Sequence, residues 1–199
     1  QKADANIFFA KFVRENYKSW INKELNDKDN RQGGPVISSE LFKNYVFPVL
    51  DKGDKLFFIL IDNFRLDQWE VVKDIVHENF DCNENIYFSI LPTATPYARN
   101  SIFSGLTPIQ ISEMYPDFWV EESEDDNKNK FEDQLIGAHL QRSGRRNTYS
   151  YHKVSTNREG NKLSDRFKEL ENYDLNVIVY NFIDLLSHAR SESIKLYTI

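Results

Sequence analysis

Three short stretches hold side chains whose type and placement suit chemistry. They are Asp62 in Ile61-Asp62-Asn63-Phe64-Arg65, Thr95 in Pro92-Thr93-Ala94-Thr95-Pro96, and Asp184, followed four residues later by His188. The two aspartates each end an apolar run, as when a buried strand delivers a residue to its C-terminal end. On that edge open α/β sheets place their ligands, and a carboxylate there is costly to desolvate and calls for a cation. Capping of a helix beginning near Phe64 would account for Asp62 equally well. Thr95 falls at an expected helix N-terminus, where free backbone N–H groups and the positive end of the dipole favour a phosphate and an alkoxide. N-capping alone explains Thr95 as well. If a helix begins at Asp184, the spacing sets Asp184 and His188 on one face, where both can bind one metal. A strand-end carboxylate and a helix-opening hydroxyl on one edge are what a metal-activated nucleophile requires.

The elements that must position these residues alternate along the chain. Residues 55–61 form a near-continuous apolar run, expected as a strand buried on both faces. A helix over 67–80 follows, with Trp69, Val72 and Ile75 inward and His77 on the surface. A second strand is expected over 85–91, turning through 92–96 into a helix from about Tyr97, with Pro96 suited to its first turn. Thr107-Pro108 opens a short helix to Met114. Further helices are expected over 131–141 and 161–170, and strands over 147–154 and 175–183. His152 and Lys153 close the first of these two strands and are further candidates for facing the site. The alternation implies an α/β fold with a largely parallel central sheet and helices on both faces.

Upstream, Ile7, Phe8, Phe12, Val13, Tyr17, Trp20 and Ile21 recur at helical spacing within 5–25, an amphipathic helix whose aromatic stripe reads as core. Residues 26–35 are a polar, glycine-containing loop, and Ser38 or Ser39 caps a helix that Pro48 bends or ends. The expected division is 1–37, an N-terminal helix and loop ending an upstream linker, and 38–199, the main domain. With 199 residues, 40% of them hydrophobic, the chain fills one sizeable core. A net charge of −6 argues against a broad surface for long nucleic acid but not against a small anionic substrate held by metal. The single cysteine, Cys82, permits no internal disulfide. With no signal peptide or membrane span in the sequence, the expected compartment is the cytoplasm. The acidic run 121–126 lacks EF-hand spacing and reads as a solvated loop or lid.

The segments 61–67, 92–95 and 101–106 look like the first-metal and nucleophile segments of the alkaline phosphatase superfamily, especially its nucleotide phosphodiesterase branch. Thr93-Ala94-Thr95-Pro96-Tyr97-Ala98-Arg99-Asn100 and Asn181-Phe182-Ile183-Asp184-Leu185-Leu186-Ser187-His188-Ala189-Arg190 more closely resemble the PglZ domain, nearest to the effector half of PorX-type response regulators, which control type IX secretion in Bacteroidetes. The resemblance implies a zinc-dependent phosphodiesterase with Thr95 as nucleophile. Asp62 and Thr95 would serve one zinc and Asp184 and His188 a second, the pair clamping the attacking and leaving oxygens. It also implies a nucleotide or short or cyclic oligonucleotide substrate, an upstream receiver domain and a homodimer formed on phosphorylation.

Two departures from the family stand out. Ala98 occupies the position of an Asn that binds a phosphate oxygen in related phosphodiesterases, and Arg99 or Asn100 is expected to substitute. A later Asp-His pair and a further His do not follow His188. The chain opens on Gln1, and 191–199 reads as the start of another strand, so upstream and C-terminal segments are expected to be missing. The rival reading is a non-catalytic PglZ module with structural metals, binding a sigma factor or secretion regulator. An acyl hydrolase built on Thr95 lacks a His base beside it.

Overall fold

Leu175-Asn-Val-Ile-Val-Tyr180 is a β-branched run with one polar interruption, and it forms the middle of the sheet in the computed structural model of the chain, which describes residues 2–22, 34–119 and 129–186. The chain divides into two compact units, one of residues 1–44 and 86–136, the other of 45–85 and 137–199.

The second unit holds a parallel three-stranded sheet in the order β1-β3-β2, where β1 is Leu56–Ile61, β2 is Tyr149–Val154 and β3 is Leu175–Tyr180. Leu56 pairs with Leu175, and Tyr149 with the same residue, so all three strands run in step to Ile61, Val154 and Tyr180. Leu175, Val177 and Val179 are fully buried. Asn176, inside this apolar run, avoids the cost of a buried unpaired amide. Its Oδ1 accepts from Ser150 Oγ at 2.7 Å and its Nδ2 donates to Leu170 O at 3.0 Å. Expected as buried on both faces, β1 is only half-buried, with Ile59 59% exposed, and among the described residues it pairs with β3 alone. An apolar run signals a strand but does not specify what covers it.

Helix α2 (Phe47–Leu50) leads into this unit, and Pro48 sits in its first turn, following a Ser38–Glu40 3-10 turn and a wide helical stretch, Phe42–Val46. Glu40, not Ser38 or Ser39, closes that turn, accepting from Ile37 N–H at 3.0 Å. Helix α3 is Leu66–His77. Trp69 and Val72 are half-buried, but Ile75, expected inward, is exposed. The helix expected over 161–170 is two, α7 (Asn157–Asp165) and α8 (Phe167–Leu170), broken at Arg166, with the Phe167 ring stacked on Phe57 at 5.1 Å.

The first unit is helical. Helix α1 spans Lys2–Ile21. Its stripe is core only at its C-terminal end, where Trp20 is buried and its ring lies 4.8 Å from that of Phe88, whereas Phe8 is 71% exposed and Ile7 and Phe12 are also exposed. Among the described residues, the strand expected over 85–91 is reduced to one parallel bridge, Phe88 to Ile37, rather than a strand of the sheet. Helix α4 (Thr95–Ser104) packs on the Ser38–Glu40 turn and on α5 (Pro108–Met114), with Phe103 edge-on to Phe42 at 6.3 Å. Gly105 ends α4 in the left-handed region at φ 65. There a Cβ crowds the following carbonyl, so Gly105→Ala is expected to cost about 1–2 kcal/mol, read as a lower urea midpoint. Helix α6, Glu132–Arg142, begins in this unit, and its residues from Gly137 on belong to the second.

Candidate active site

Parallel pairing in step brings the three strand ends to one edge. Asp62 N–H donates to Tyr180 O at 3.0 Å, and Asn181 N–H to Val154 O at 2.7 Å, so the residue after each of these strands is tied to its neighbour. Asn63 then turns the chain at φ 56, a conformation Asn tolerates better than most residues. Helix α3 starts only at Leu66, with Arg65 as its N-cap residue and Arg65 N–H bonded to Gln68 Oε1 at 2.9 Å. Asp62 is therefore not the cap of that helix. After β3 a helical turn runs over 182–186, two residues earlier than expected, with Leu185 N–H on Asn181 O at 3.1 Å. Asp184 lies in this first turn, and both aspartates are half-buried.

Asp62 and Asp184 therefore follow adjacent strands on a common edge, Asp62 directly and Asp184 four residues on. His188 lies outside the described residues. Two carboxylates on one edge fit as oxygen donors in part of a divalent-cation ligand set. Among the described residues, no three His, Cys, Asp or Glu gather as a metal-holding group.

Thr95 belongs to the first unit and is the first residue of α4, two positions ahead of the expected start; Ala94 is the N-cap residue. The hydroxyl at Thr95 is thus not an N-cap. The N-terminus also offers fewer donors than the sequence suggests. Pro96 has no N–H, and those of Tyr97 and Ala98 both point to Ala94 O at 3.0 Å.

Arg99 and Asn100, expected at the substrate, are turned inward at 4% and 5% exposure. The Arg99 guanidinium is paired with Glu132, Nη2 lying 2.7 Å from the carboxylate, and Glu132 is fully buried. This pair joins α4 to α6, and the sequence reading missed it. A pairing 33 residues apart has no local signature.

His152 lines a cavity of about 240 Å³ with Leu163, Arg166, Glu169 and Leu170, and thus faces residues of α7 and α8. Its Nε2 is buried without a hydrogen-bond partner, and burial first, then the Arg166 charge, lowers its pKa. Lys153 is exposed.

A parallel α/β sheet with Asp62 directly after β1 and Asp184 in the helical turn after β3 is of the class of fold that binds ligands at its strand C-termini. Residues 41–198 match the model of the BREX system PglZ alkaline phosphatase-like domain, and the chain belongs to that family. Its fold is of the phosphoesterase type, in a superfamily whose members typically bind metal ions. A comparison with curated proteins returned no match.

Proposed function

We propose that this chain is the metal-binding part of a zinc-dependent phosphodiesterase acting on a nucleotide or a short or cyclic oligonucleotide, with Thr95 as nucleophile. The observation that supports it is the delivery of Asp62 and Asp184 to one edge of a parallel sheet by adjacent strands. Asp62 with Thr95, and Asp184 with His188, would hold the two metals. When bound, divalent cations lower the pKa of a ligated hydroxyl and neutralise phosphate charge.

In this reading Thr95 Oγ1 attacks phosphorus in line, the bond to the leaving alkoxide breaks, and the hydroxyl proton passes to solvent. Water then hydrolyses the threonine phosphoester and restores the hydroxyl. Few spare N–H groups stand at the start of α4, so the helix N-terminus carries little of the phosphate charge. We assign Arg99 to positioning α4 through Glu132 rather than to substrate contact. The biological setting we infer is the effector part of a PorX-type response regulator controlling type IX secretion in the cytoplasm, with an upstream receiver domain and a homodimer on activation. No helix among the described residues is long and apolar enough to cross a membrane.

Asp184→Ala is expected to remove close to one zinc equivalent per chain in the intact domain, read by metal analysis, with activity falling in parallel. Unchanged zinc stoichiometry would remove Asp184 from the ligand set.

The exposed Ile7, Phe8 and Phe12 favour a second reading, an interaction module that binds a sigma factor or secretion regulator without catalysis. That reading expects no phosphodiester hydrolysis by the intact, zinc-loaded domain.

A further inference from the structure

A cleft of about 530 Å³ opens in the first unit, where the end of α1, the 90–92 segment, α4, α5 and the turn before Trp119 meet. It is within the size range of small-ligand pockets. Several of its polar side chains are already bonded. The Tyr17 hydroxyl accepts from Leu91 N–H at 2.6 Å, Gln110 Oε1 accepts from Thr107 N–H at 2.9 Å, and Ser112 Oγ donates to Ile109 O at 2.8 Å. What faces an occupant is therefore mainly apolar and aromatic.

Tyr97 and Trp119 lie on its wall with ring centroids 5.9 Å apart and planes 35° apart. Leu91 and Ile109 are 47% and 65% exposed, which leaves apolar surface for a ligand to cover. Thr95 is not among the residues lining the cleft, but chain neighbours on both sides of it are. Pro92 is three residues before Thr95, a chain reach of at most about 11 Å, and Tyr97 is two residues after it on α4.

We propose that this cleft is the subsite for a planar heteroaromatic group, a nucleobase of the phosphodiester, held by stacking on Trp119 and Tyr97 rather than by hydrogen bonds to its edges. That the base belongs to the phosphodiester attacked at Thr95 rests on the phosphodiesterase reading above. Because every base presents a π-face, such a subsite tolerates base identity.

The test is equilibrium binding of adenosine 5′-monophosphate and of ribose 5-phosphate to the full chain, by calorimetry, in the original protein and in Trp119→Ala, Ile109→Asp and Thr95→Val. The nucleotide is expected to bind about tenfold or more tighter than the sugar phosphate. That advantage should fall to within about threefold in Trp119→Ala and in Ile109→Asp, whose exposed position spares the fold, and persist in Thr95→Val. Equal affinity for the two probes in the original protein overturns the subsite and leaves the role of Thr95 to its own kinetic test. Octyl phosphate binding as tightly as the nucleotide, with the same sensitivity to Trp119→Ala, overturns it in favour of an aliphatic occupant. Nucleotide binding with this pattern in a chain that hydrolyses no phosphodiester supports the subsite while removing the catalytic reading.

Discussion

Thr95→Val is expected to leave a folded domain whose hydrolysis of bis(p-nitrophenyl) phosphate falls at least ~100-fold, measured on the intact, zinc-loaded domain. Valine keeps the branched shape at the first position of α4 and removes only the attacking oxygen. Because Ala94 is the N-cap residue of α4, the substitution removes no side-chain cap, and lost stability would not explain lost turnover. Full activity in the variant would eliminate Thr95 as nucleophile. An intact domain inactive before any substitution would favour the interaction-module reading.

Glu132→Ala is expected to give the largest loss of stability. The carboxylate is fully buried and Arg99 is 4% exposed, so deletion strands a guanidinium in the interior. Breaking one side of a buried pair costs about 3–5 kcal/mol, and at this chain length each kcal/mol lowers the melting temperature by about 2–4 °C. Arg99→Met combined with Glu132→Leu should recover most of the loss, since an apolar pair of similar volume has no charge to desolvate. The exposed Arg65–Asp67 pair is the contrast: Arg65→Ala should leave the melting midpoint unchanged. A Glu132→Ala protein as stable as the original would show that the pair holds nothing in place.

The sheet and its edge were legible because their signals are local. Residues 175–180 are an apolar, β-branched run that can fold only by being covered, and a carboxylate just beyond such a run marks the edge whatever the neighbours are. Thr95 was placed within two residues by the proline beside it. What failed depended on distant partners. The 85–91 run has strand composition, yet among the described residues only Phe88 bridges, to Ile37, some fifty positions away in the chain. The stripe on α1 has helical period along its length, but period says which residues share a face and not whether anything covers Ile7 and Phe8. Nor does anything local to Arg99, a candidate for holding a phosphate oxygen, point to its pairing with Glu132 on another helix.

In the proposed mechanism Asp62 and Asp184 each hold a metal on one edge of the sheet. Anomalous scattering at the zinc absorption edge, from crystals of the intact domain grown with zinc, tests it most directly. Two peaks are expected, one against the Asp62 carboxylate and one against that of Asp184, about 3.5–4 Å apart. No peak within bonding distance of either carboxylate would contradict it.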